Sequence, residues 1–376
     1  MPNRVEHRDR HVMVFGPAYL DRVLRVDQPL IDPTLGPPLD QGFEVIGTFG
    51  TGSTLELVDP TGFTITIEPP ADWPGPTGEI RLAQPIREGL SGQKRVQGRA
   101  WQDDLGGMGA GYAAAFGGSL WSALGPDSDA KSRAIAQQLA RFGIAHHPIR
   151  VPDHPADWTL LITSGEFGDK LPIGFRGCHA ALRPESLEPM AAEPCDLRVV
   201  ASLPNRLAAR ALSAPGAAMR FFAPTWRTML DRDRPLSSFA ASIDVLSCNR
   251  REWEALDDRE EVAWRVSILV VTDGPNGSSV RFTTPTGEPG RFQVPAFPRA
   301  RPPRDTNRAG EAYAATMINT LLDHGWSAAS GVVDEGLIRL AVERAAAASA
   351  LVLDRLDFGF PSGEEIDAAL RAGQVA

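Results

Sequence analysis

Cysteine is scarce in this chain, with only Cys178, Cys195 and Cys248 among 376 residues. They are too few and too scattered along the sequence to suggest a disulfide framework or a zinc site, and they fit a reducing cytoplasm. Long hydrophobic runs are missing as well. No window approaches the roughly eighteen apolar residues that a membrane-spanning helix needs. The start, MPNRVEHRDRH, has basic residues but no apolar stretch behind them, so it does not read as a signal peptide. An excess of positive charge is also absent. With 38 Lys and Arg against 47 Asp and Glu, the net charge is -9, the wrong sign for a protein that neutralises nucleic-acid phosphates. The histidines His146, His147, His154 and His179 show no metal-ligand spacing and read as structural.

What is present is the composition of an ordinary globular enzyme, 43% hydrophobic and 23% charged, long enough for one large or two modest domains. Short apolar runs alternate with helical stretches. Strands are expected at Val12–Phe15, Leu120–Leu124, Thr159–Thr163, Leu197–Ala201, Arg220–Ala223, Asp244–Ser247 and Ile268–Thr272. Helices are expected at Ser128–Phe142, Arg206–Ser213, Arg250–Leu256, Ala309–His324 and Glu335–Leu351. That alternation predicts an α/β fold with a mainly parallel sheet, whose ligands bind beyond the carboxyl ends of the strands. The segment 32–98 differs. It is rich in Pro and Gly and contains STLELVDPTGFTITIE, in which two alternating runs flank the turn residues Asp59-Pro60-Thr61-Gly62. This is a hairpin pattern and predicts a β-rich insertion.

The segment DTNRAGEAYAATMINTLLDHG, from Asp305 to Gly325, carries the most chemical information. Thr306 or Asn307 is placed to cap a helix whose small first residues, Ala309 and Gly310, let a phosphate approach the free N–H groups. Glu311 falls in the same first turn. A carboxylate beside an anion-binding helix start suits phosphoryl transfer, although acids also favour first turns simply to complement the helix dipole. Arg299, Arg301, Arg304 and Arg308 lie within ten residues that contain one acid, Asp305, and read equally as a solvated loop or an anion site.

Five segments in order resemble the ribokinase (PfkB) family of carbohydrate and nucleoside kinases. They are VFGPAYLDRVLRVD, LGGMGAGYAAAFGG, DVLSCNRREWEAL, VVTDGPNGSSV and DTNRAGEAY, followed by an Ala-rich helix and the ending DFGFPSGEEI. The resemblance implies a three-layer sandwich with a central parallel sheet, the core being 11–31 and 99–376 and the segment 32–98 an enlarged β-rich lid. It implies transfer of the ATP γ-phosphate to a hydroxyl of a small molecule, with magnesium, and with potassium as a monovalent cation near Asp305. Glu311 would be the base and Ala309, Gly310 and Arg308 the anion site. Asp21, Gly106, Gly107 and Gly111 would face the acceptor. Asn249, Glu252, Thr272, Gly274 and Gly277 would face the nucleotide, with Glu252 acting indirectly on magnesium. The expected partners are a small-molecule substrate and a nucleotide, without nucleic acid or membrane, and edge strands of the lid offer a route to a homodimer.

Plain structural readings stand beside these. Asn249 and Glu252 suit a helix cap, Gly106 and Gly107 suit tight packing, and Asp21 suits a turn. The chain also departs from the family pattern. Glu311 replaces the catalytic Asp of Asp-Thr-x-Gly-Ala-Gly-Asp, and Arg308 replaces its first Gly. Tyr19 and Gly111 stand where the family has Asn, and Ala223-Pro224-Thr225 where it has Asp-Pro-Asn. A kinase with an unusual acceptor is one reading. A catalytically weak or inactive relative that binds a metabolite or nucleotide is the other, with Arg308 able to pair with Glu311.

Overall fold

The computed structural model describes residues 10–27, 55–58, 64–68, 81–82, 93–164, 169–175, 177–301, 303, 306–355 and 358–375. Most of the segment 32–98, its turn Asp59-Pro60-Thr61-Gly62 included, lies outside them, as do Arg304 and Asp305. The strands are β1 Val12–Phe15, β2 Tyr19–Val26, β3 Leu55–Val58, β4 Thr64–Glu68, β5 Arg81–Leu82, β6 Gln93–Gly106, β7 Ser119–Leu124 and β8 His146–Arg150. They continue with β9 Trp158–Ser164, β10 Asp169–Phe175, β11 Cys195–Ala201, β12 Ala217–Ala223, β13 Val245–Asn249, β14 Ile268–Thr272, β15 Ser278–Thr283 and β16 Pro289–Val294. The helices that matter below are α1 Met108–Phe116, α2 Ala130–Arg141, α3 Cys178–Ala181, α4 Asn205–Ser213, α5 Arg250–Ala255, α6 Ala309–Asp323, α7 Glu335–Val352 and α8 Gly363–Ala372.

Nine strands form one sheet in the order β16-β15-β14-β13-β12-β11-β1-β7-β8. From β14 to β8 the neighbours are parallel, and only β15, paired with β14 and β16, runs the other way. The reason is legible in the side chains. Val12 and Val14 of β1 join the core that includes Tyr313, Ile318 and Val342 of α6 and α7, while Met13 and Phe15 join the core beneath α4. Phe221 and Phe222, Val245 and Leu246, and Ile268 and Leu269 divide in the same way. A strand whose two faces are both apolar needs a helical layer on each side, and three layers result. One buried charge serves this packing: the Arg198 guanidinium donates to the carbonyls of Ala211, Ala214 and Pro215 at 3.1, 2.6 and 2.9 Å, closing the carboxyl end of α4.

A second sheet has the order β3-β4-β6-β2-β9-β10-β5. The expected hairpin is there: Leu55 pairs with Ile67 and Leu57 with Ile65. The sheet reaches well beyond that hairpin, because β2, β6, β9 and β10 belong to it too. The run Thr159–Thr163 therefore sits in this smaller sheet, parallel to β2, and not in the main one. Among the described residues no helix is long and apolar enough to cross a membrane.

Candidate active site

The site lies where β1, β13 and β14 end and where α1 and α6 begin. After β1 the chain turns through Gly16 and Pro17 into β2, whose Asp21 pairs across to Asp104 of β6. The Asp21 carboxylate occupies the space a side chain at Gly106 would fill: a Cβ there would stand 2.0 Å from Oδ2. Gly107, at φ 92, then turns β6 into α1 with its backbone against the Pro17 carbonyl. The two glycines hold Asp21 at the mouth of α1. Beside it, Arg22 makes a two-pronged pair with Asp103 at 2.8 and 2.9 Å and faces the rings of Trp101 and Trp158.

Glu311 enters from the opposite side, in the first turn of α6. A Cβ on Gly111 would stand 3.1 Å from Glu311 Oε1 and 3.2 Å from its Cγ, so the acid lies directly on the bare backbone of α1. The two departures from the family pattern, the longer acid and the missing Asn side chain, thus meet in space. Glu252 is near enough that Glu311 adds to its shift. Burial raises the half-buried Glu252 carboxyl to about 7, and the Glu311 charge pushes the same way. Tyr112, wholly buried, has its phenol raised by burial first and then by Glu311 and Glu252.

Asn249 ends β13 and caps α5. Its Oδ1 accepts from Glu252 N at 2.8 Å, while Glu252 Oε2 accepts from Asn249 N at 2.9 Å. This reciprocal cap is the plain structural role, and it leaves Glu252 Oε1 outside the pair. Thr272 ends β14 and Gly274 and Gly277 follow it, and all three line a cavity of about 740 Å³, together with Ala309, Gly310, Tyr313 and Phe297. Ser278 and Tyr313 bond across its floor at 2.7 Å. Neither of those two was legible in the sequence, since nothing local marks a Tyr in mid-helix as facing a cavity.

Three expectations need correction or completion. The cap position of α6 is taken by Arg308 and not by Thr306 or Asn307, and no side chain caps the helix. Arg308 has φ 65, the left-handed region where glycine is at ease, which explains why the family pattern has Gly at this place. Its guanidinium lies over the Phe358 ring, 5.6 Å from the centroid. Of the other arginines, Arg299 is held by Asp354 at 2.7 Å and by the Ala350 carbonyl, so it ties the carboxyl end of α7; Arg301 is exposed. Cys248 is a buried strand residue whose thiol is raised well above the ordinary range by burial.

The pfkB family carbohydrate kinase pattern matches residues 80–362. The chain belongs to this family. No curated protein sequence matches it, but solved structures do. Ribokinase from Giardia lamblia is 16% identical with a TM-score of 0.64, covering 96% of this chain and 99% of that one. Fructokinase from Xylella fastidiosa with bound ATP is 17% identical, TM-score 0.62, covering 96% and 98%. Phosphofructokinase-2 from Escherichia coli in complex with potassium is 16% identical, TM-score 0.60, covering 97% and 98%. At these identities the structures establish the shared fold.

Proposed function

We propose that this kinase moves the γ-phosphoryl group of ATP to a hydroxyl of a small sugar- or nucleoside-like molecule, with Glu311 as the base. The carrying observation is the contact between Glu311 and Gly111. A carboxylate one methylene longer than Asp would overshoot, and a misplacement of about 1 Å can cost on the order of a hundredfold in rate. Here the extra length is taken up where a side chain has been removed from α1.

The acceptor hydroxyl gives its proton to a Glu311 carboxylate oxygen as its own oxygen bonds to phosphorus. The bond from phosphorus to the bridging oxygen breaks, and ADP leaves with that electron pair. The N–H groups of Ala309 and Gly310, at the positive end of a 15-residue helix, stabilise charge on the transferred group. An added Cβ at Gly310 or Gly274 would meet nothing within 4 Å, so the cavity is open to phosphates on both sides. Asn249, Glu252, Thr272 and Gly277 suit the nucleotide side. Magnesium fits there: the Oε1 that the cap leaves over, on a carboxyl raised by burial, gains its charge when a cation is near. Bound magnesium supplies charge neutralisation at the phosphates. Asp21, Gly106 and Gly107 suit the acceptor, and Arg308 an added clamp on phosphate. The potassium expected near Asp305 falls outside the described residues. The outer strands β3 and β5 are edges suited to a homodimer through the lid, which sedimentation of the purified protein tests.

The decisive experiment is ADP formation from ATP and magnesium against a panel of sugars and nucleosides. At least one acceptor is expected to stimulate turnover, and Glu311→Gln to lower that turnover by more than about a hundredfold while ATP still binds. ATP binding with no acceptor-dependent turnover would favour the binding-protein reading.

A further inference from the structure

Asp157, Cys178 and His179 are separated in sequence but meet at the base of the second sheet. Asp157 immediately precedes β9, and Cys178 and His179 open α3 just after β10. The two chain segments cross tightly: Cys178 N donates to the Pro155 carbonyl at 2.8 Å, and a Cβ on Gly177 would stand 2.2 Å from that same oxygen. Asp157 and His179 are 1% and 8% exposed and Cys178 is fully buried. Among the described residues they form the group of three whose donor atoms all lie within 4.8 Å of one another.

Asp157 Oδ2 is overloaded. It faces His179 N at 2.9 Å, His179 Nδ1 at 3.1 Å and Cys178 Sγ at 3.4 Å, while the other oxygen, Oδ1, is buried without a hydrogen-bond partner. Sγ and Nδ1 are 3.8 Å apart. A tetrahedral zinc site has ligand edges of about 3.3 Å for oxygen to nitrogen, about 3.5 Å for oxygen to sulfur and about 3.6 Å for nitrogen to sulfur, from its usual bond lengths. The observed edges of 3.1, 3.4 and 3.8 Å follow that set in order and in size. Without a cation, burial and then the Asp157 charge push the Cys178 thiol up to about 12, so it sits there as a neutral thiol.

We propose that Asp157 Oδ2, Cys178 Sγ and His179 Nδ1 bind a zinc-like divalent cation that staples the smaller sheet to the core. On binding, the thiol proton leaves to solvent and the Nδ1 proton moves to Nε2. Thiolate, carboxylate and a doubly charged cation then sum to zero charge, which suits a buried site. Nothing in the chemistry of phosphoryl transfer requires this cation, so its role is to hold the lid's base. The sequence hid the site because its ligands lack the spacing of a zinc motif.

The test is a titration of the chelator-stripped full-length protein with cobalt(II). One cobalt per chain is expected, with a near-ultraviolet thiolate-to-cobalt band that zinc then removes, and one proton released per metal. Zinc should also raise the melting temperature. Cys178→Ser, or His179→Gln should the serine variant not fold, is expected to bind at least tenfold more weakly. Absence of the band and of the melting shift in the parent protein overturns the proposal. So does a band of parent strength in a folded Cys178→Ser variant.

Discussion

The sides of this site that we assign to the nucleotide and to the acceptor are built on different principles. On the nucleotide side, glycine turns after β14 and the first turn of α6 border the cavity, and Ser278 and Tyr313 bond to each other across it. The acceptor side is carried on the second sheet and α1, where Asp21 sits against Gly106 and where Tyr19 and Gly111 depart from the family pattern. Recognition by backbone tolerates substitution, because the groups that bind belong to every residue. Recognition by side chains does not, so we place the choice of acceptor there.

The sharpest way to break this comparison is to refill the space beneath Glu311. Gly111→Asn should force the Glu311 carboxylate away and lower kcat on the order of a hundredfold, with nucleotide affinity little changed. Adding Glu311→Asp to that variant should recover part of the loss, because the shorter acid needs less room. Steady-state kinetics of the two single variants and the double variant measure this coupling. Equal, additive losses would mean that the two positions do not act together.

Asp21→Ala tests the acceptor side alone. Acceptor KM should rise by more than about tenfold, a loss near 1.4 kcal/mol, while the ATP dissociation constant stays put. Arg308→Gly tests the nucleotide side. It relieves a left-handed residue worth about 1 kcal/mol, so the melting temperature should rise by about 2 °C. ATP affinity should fall severalfold and become less sensitive to salt, the mark of a lost charge contact. A variant that binds ATP as well as the parent would assign Arg308 to Phe358 alone.

The smallest effect concerns pH. Glu252 holds its proton up to about 7 in the folded chain, against 4.5 for an ordinary glutamate. Between those values the folded state binds the extra proton, so its contribution to stability is present below about 4.5 and is lost as pH rises through 7. Relative to Glu252→Gln, the parent's melting temperature should fall as pH rises across that window, and magnesium should flatten the slope.

Much of the main sheet was legible because β1, β13 and β14 are short and largely apolar on both faces. The second sheet was less so. β2 and β6 read YLDRVLRV and QKRVQGRAWQDDLG, and strands with this much charge resemble loops until a partner strand is seen. Arg308 was legible as a departure but not as a strained one, since a positive φ follows from how the loop joins α6. Glu311 and Gly111 were each marked by comparison with the family pattern, yet nothing along the chain linked them.

By itself the sequence determined the alternation of strands and helices in the main sheet and the family. Those properties rest on local alternation and on short motifs, which involve neighbours in the chain. Only the tertiary structure decided that Glu311 lies on Gly111, that Asp21 fills the space above Gly106, and that Asp157 meets Cys178 and His179. Each of these contacts joins two segments whose approach is set by how helices and sheets cross, and that crossing is a property of the whole packed core.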